Sequence, residues 1–184
     1  SMAVFPRPLT SVDEGFDMTD HFVSASGSNQ CYFDRPPERL VLEGYRQWSA
    51  GYETDSIQPW EMAWNMYATT LGAPDGRSAM GELANYVRTL RKCASCPLRS
   101  FPFNSHHLCT EECLTMGLVS GLQHNIDTAE LCLSQLVCSK RCDEVELAAS
   151  SFATTLRCLG QVMLPIPVPV IEDVLNRSGN QTYH

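Results

Sequence analysis

The chain has 184 residues, of which 43% are hydrophobic and 18% charged. That is enough for one packed core with irregular ends and too little for two full domains. The net charge is −8, from 21 acidic and 13 basic residues, and no long basic run tracks a phosphate backbone, so direct nucleic-acid binding is disfavoured. No stretch of about 18 apolar residues offers a membrane span, and positions 1–27 lack the basic start and apolar run of a secretory signal. The expectation is a cytoplasmic protein, away from membranes, in which the nine cysteines are thiols or metal ligands rather than disulfides.

Residues 1–34 mix Pro, Ser, Gly, Asp and scattered aromatics without a period, which predicts an irregular or partly disordered arm. From Pro36 and Pro37 the pattern turns helical, with Leu40, Val41, Tyr45 and Trp48 on one face and a stop near Gly51. Pro59 and Gly72 frame a second helix. Its stripe of Trp60, Trp64, Tyr67 and Leu71 reads as core, and an aromatic ligand pocket formed by Trp60, Trp64 and Tyr67 is the alternative. A third helix, capped by Asp75 or Ser78, carries Met80, Leu83, Val87 and Leu90 at intervals of three and four, and delivers the chain to Cys93.

Between Cys93 and Cys109, Pro97, Pro102, two phenylalanines and two histidines predict an irregular loop. Arg88, Arg91, Lys92 and Arg99 beside it suit the negative end of a helix. Thr110 reads as the N-cap of the next helix, with Glu111 and Glu112 favoured by its dipole, Gly117, Ser120 and Gly121 as a close-packing face, and His124 as a C-terminal cap. That small-residue face serves either an internal contact or a homodimer. Asp127 with Glu130 and Asp143 with Glu146 resemble capping boxes. Val145, Ala149, Phe152, Leu156 and Leu159 form the last clear stripe, ended by Gly160. Alternating Pro165, Pro167 and Pro169 make Leu164 to Val170 an extended strap. A short helix over 171–176 and a polar tail over 177–184 complete the chain. The predicted fold is thus all-α: a single-domain helical bundle over 35–176 with about five to six helices, a Cys-rich hairpin at 93–113 between helices, and a Pro-rich C-terminal strap.

The chemistry concentrates in that hairpin. Cys93 and Cys96 have two residues between them, Cys109 and Cys113 three, and twelve residues separate the pairs. Thiolates so spaced can close a tetrahedral structural zinc site, with His106 or His107 as substitute ligands. A metal clip would fix the path of an otherwise irregular loop. The alternative is that these cysteines are ordinary buried residues, with Cys113 placed by helix packing alone.

Cys132, Cys138, Cys142 and Cys158 lie on the following helices, with Cys138 and Cys142 one turn apart if the helix continues that far. Thiols turned into a bundle suit soft ions such as copper(I). In this respect Cys109 to Cys158 resembles the cysteine-lined bundles of bacterial copper-storage proteins, which carry many more core cysteines in repeated pairs. A redox couple of Cys93 and Cys96, activated by Arg91 and Lys92, is a further expectation.

No Gly-rich phosphate loop, dinucleotide fingerprint, nucleophile elbow or two-histidine zinc-protease helix occurs, and no Glu-x-x-His pair for a di-iron bundle. The leading expectation is a non-catalytic regulatory or adaptor protein that binds a protein partner and holds one structural zinc. Thiol-based metal handling or redox sensing is the first alternative. A helical enzyme or small-ligand binder is the second.

Overall fold

The computed structural model describes residues 32–181. Most of the arm expected at 1–34, with Cys31, and positions 182–184 of the tail lie outside the described residues. Within the described part, a 3-10 turn at Tyr32–Asp34 is followed by seven α-helices, one or two more than expected: α1 (Pro36–Thr54), α2 (Gln58–Leu71), α3 (Ala73–Cys93), α4 (Thr110–His124), α5 (Thr128–Leu136), α6 (Cys142–Cys158) and α7 (Val168–Gln181). No strand forms among these residues, and the bundle is all-α.

Two prolines open α1, where the first helical N–H groups have no intrahelical partner to lose. The helix does not stop at Gly51. It continues to Thr54 and ends where Asp55 takes a left-handed conformation, φ 54°. Gly51 is needed for contact instead, since a Cβ there would lie 2.2 Å from Trp60 Nε1 on α2. Gly72, at φ 84°, separates α2 from α3 as the spacing predicted. Pro74, in the first turn of α3, sets the start at Ala73, ahead of the expected caps.

α4 is the centre. Every residue from Glu111 to Gly121 is buried, and the helix packs against α1, α5, α6 and α7, while α2 and α3 extend the bundle through α1 and α6. A helix enclosed on all sides cannot be amphipathic, which is why this one lacks a single apolar stripe. Its glycines serve inside the chain: a Cβ at Gly121 would meet the Ala129 backbone nitrogen at 2.5 Å, and one at Gly117 the Cys132 sulfur at 2.6 Å.

Residues 161–167 run extended across this core, as the prolines predicted. Polar side chains hold the strap. Ser120 Oγ donates to the Leu164 carbonyl (2.8 Å) and accepts from Ile166 N–H (3.2 Å), and Thr128 Oγ1 donates to the Ile166 carbonyl (2.6 Å). Gln123 Nε2 donates to the Gln161 and Ala153 carbonyls, while its Oε1 accepts from Met163 N–H. His124 is not a helix cap: its Nε2 lies 2.6 Å from the Met163 carbonyl. The extended segment is shorter than predicted, because Pro169 falls in the first turn of α7, where a missing N–H costs nothing, and α7 then replaces both the short helix and most of the tail.

Candidate functional site

Residues 94–109 join α3 to α4 as an irregular loop, as the composition between Cys93 and Cys109 predicted. A buried arginine fixes its path. Arg46, on α1, is 1% exposed and forms a bidentate pair with Glu112 (2.8 and 3.1 Å) and a further pair with Glu43 (3.0 Å). Its remaining donors reach the Ser105 and His107 carbonyls. The two carboxylates extend the network, because Glu112 also accepts from Phe101 and Cys109 N–H and Glu43 accepts from Asn104 N–H. One guanidinium therefore ties α1, the loop and the start of α4 together.

The charges are settled by partners and by burial in competition. For Arg46 burial opposes the charge, but Glu112 and Glu43 outweigh it and hold the group firmly protonated. Burial pushes the carboxyl of Glu43 up, only partly offset by Arg46 and the Asn104 amide. The N-cap of α4 is Cys109, one residue before the expected Thr110, with Glu112 closing the capping box. Glu112 thus does more than answer the helix dipole. Sequence reasoning missed Arg46 altogether. The available signal was a Glu43-x-x-Arg46 pair set inside the apolar stripe of Leu40, Val41 and Tyr45, where a solvated charge has no place.

The expected zinc ligands are not gathered. Among the described residues no three His, Cys, Asp or Glu side chains are grouped so as to hold a metal ion. Cys93 is buried with its sulfur 3.7 Å from Glu144 Oε2 and 4.0 Å from Arg141 Nη1, and Cys96 is exposed. Cys109 Sγ donates to the Arg99 carbonyl at 3.3 Å. Cys113 is enclosed, and burial raises its thiol far above the usual range, as it does for Cys109. His106 is exposed, and the half-buried His107 gives its carbonyl to Arg46.

The other thiols divide by exposure. Cys132 alone faces the bundle interior, against Gly117, with its pKa pushed up to about 12 by burial. Cys158 and Cys138 are exposed and Cys142 is half-buried. Cys138 is not helical: it lies in the turn between α5 and α6, and Cys142 opens α6. The turn is fixed by the isolated antiparallel bridge of Ala94 with Val137, where Ser95 N–H donates to the Leu136 carbonyl.

The aromatic stripe on α2 is mostly packing. Tyr67 is completely enclosed, its hydroxyl donating to the Leu40 carbonyl at 2.8 Å, so Trp60, Trp64 and Tyr67 do not line one open cleft. Trp60 instead stacks on Trp48 (centroids 5.4 Å apart), gives its N–H to the Trp48 carbonyl and meets the edge of Tyr52. Beside this aromatic pair the α1–α2 corner exposes Tyr52, Ile57 and Met62, with Ile57 65% exposed. Arg91 on α3 lies over the Tyr52 ring at 5.0 Å.

Set against protein-family models, curated proteins and solved structures, the chain matches none. No helix among the described residues is long and apolar enough to cross a membrane.

Proposed function

We propose that the protein is a non-catalytic adaptor that binds a protein partner through the α1–α2 corner. The observation that carries this reading is the exposure of Tyr52, Ile57 and Met62 at the corner where Tyr52 meets the edge of Trp60, itself stacked on Trp48. Aromatic residues and methionine are enriched at protein interfaces, and a rigid aromatic base loses little entropy on binding. The rim fits the same use: Glu53, Asp55, Glu61 and Arg91 are exposed around the apolar centre and supply charges for register and partner choice. The reading includes a reducing, cytosolic setting, supported by the eight free cysteines among the described residues.

The test is site-directed photo-crosslinking in extracts of the source cells. A crosslinking side chain in place of Ile57 is expected to trap a discrete partner, and one in place of Leu147, a 75% exposed residue on α6, is not. Adding Met62→Glu should remove the trapped partner while the helical circular dichroism stays unchanged. The same captured set at both positions, or capture that survives Met62→Glu, overturns the reading.

A further inference from the structure

The turn between α5 and α6 brings two cysteine side chains together near the surface. Cys138 is exposed, and the chain reverses immediately after it, with Arg141 N–H donating to the Cys138 carbonyl at 3.0 Å. Cys142 is thereby folded back so that its thiol donates to the same carbonyl at 3.4 Å. The carbonyl oxygen and the Cβ of Cys138 hang from adjacent backbone atoms, so rotation about χ1 of the two residues brings sulfur toward sulfur without moving α6.

We propose that Cys138 and Cys142 form a dithiol site that hydroperoxides oxidise to an intramolecular disulfide. This site shares no residue with the α1–α2 corner. It stands on geometry and access together: both sulfurs belong to one reversed turn, and neither cysteine is buried.

The division of labour follows from surroundings. Partial burial, then the proximity of Cys138 and of Asp143 and Glu146, pushes the Cys142 thiol up, so it waits as the protonated partner. Cys138, the more exposed of the two, is the attacking sulfur. Its thiolate attacks the terminal oxygen of the peroxide, the O–O bond breaks, the alkoxide (hydroxide from hydrogen peroxide) leaves and takes up a proton, and the sulfur becomes a sulfenic acid. The Cys142 sulfur then attacks that sulfur, the S–O bond breaks and water leaves. Two thiols lose two electrons and two protons in all, and one hydroperoxide is reduced to water and its alcohol, or to two waters for hydrogen peroxide.

Cys93 is the neighbour that makes the site specific. By the Ala94–Val137 bridge it lies opposite Cys138, but its sulfur is buried toward Glu144 and Arg141. It is therefore set aside from the exchange.

The experiment treats the reduced full chain with stoichiometric hydrogen peroxide, alkylates the remaining thiols and maps tryptic peptides. Trypsin cuts after Lys140 and Arg141, so a Cys138–Cys142 bond appears as a linked peptide pair that collapses on reduction. The pair is expected in the wild type, lost in Cys138→Ser and Cys142→Ser, and kept in Cys93→Ser and Cys158→Ser. In Cys142→Ser, Cys138 should be trapped as sulfenic acid by dimedone. A bond from Cys138 to Cys93 or Cys96, or oxidation of Cys138 no faster than that of the exposed Cys158, overturns the proposal.

Discussion

Arg46 carries its charge into an environment that excludes water, and its five donors are matched by two carboxylates and two backbone carbonyls. Removing it strands Glu43 and Glu112 without their counter-charge. Arg46→Met is therefore expected to cost about 3–5 kcal/mol, the range for breaking one side of a buried ion pair. Urea unfolding measures that loss, and hydrogen exchange should show residues 94–109 losing protection with it. The carboxylates of Glu43 and of Glu38, a buried residue in the first turn of α1 that pairs with Arg35 and accepts from Leu164 N–H, behave differently. Each leaves one buried oxygen without a partner, and burial raises both above the usual carboxyl value of 4.5. A raised folded pKa means that the native state binds the proton more tightly than the unfolded chain does. These two groups thus add stability as pH falls through their raised values toward 4.5, and withdraw it as pH rises. Urea midpoints taken from about pH 7.5 to about pH 5.5 should hold or rise. A fall over that range would show that other groups dominate.

At the scale of elements, Gly121 lets α4 come up against the backbone of α5. Gly121→Ala would press a methyl into the Ala129 backbone, which has no flexible end to yield, and is expected to cost about 1–3 kcal/mol. Gly81, on the open face of α3, has nothing within 4 Å of the site its Cβ would take. There Gly81→Ala should stabilise by up to about 1 kcal/mol, through helix propensity alone. Opposite signs in thermal or urea unfolding distinguish packing from propensity. The strap depends on α4 in a different way. Gln123→Ala removes one donor and one acceptor shared among Ala153, Gln161 and Met163. The cost should be about 1–3 kcal/mol, with exchange accelerated across 161–167 before the rest of the bundle opens.

For the molecule as a whole, the Arg46 network occupies the role that a metal clip was expected to fill, since it joins the loop to both flanking helices. Treatment with a strong chelator is accordingly expected to leave helical circular dichroism and loop protection unchanged. Loss of one zinc with concurrent opening of 94–109 would restore the clip as the organiser. The exposed apolar corner at α1–α2 and the exposed Cys138 of the α5–α6 turn lie on different elements.

Local rules carried the sequence a long way. The prolines at 36 and 37, Gly72 between α2 and α3, the irregular stretch after Cys93 and the small face of Gly117 and Gly121 were all legible, because capping, φ preference and side-chain size act over one or two turns. The same rules misplaced the end of α1 at Gly51 and the start of α7 after Pro169. A glycine excluded by a tryptophan from the next helix looks the same in sequence as a helix terminator, and a first-turn proline looks the same as a helix breaker. Spacing suggested that four cysteines could meet. Whether they meet depends on where α3 and α4 lie relative to α6, and that is decided by packing among residues far apart in the chain. Arg46, Glu43 and Glu112 belong to the same class: a buried charge is stable only when distant groups converge on it, so the sequence supplied the three residues and tertiary structure alone made them one site.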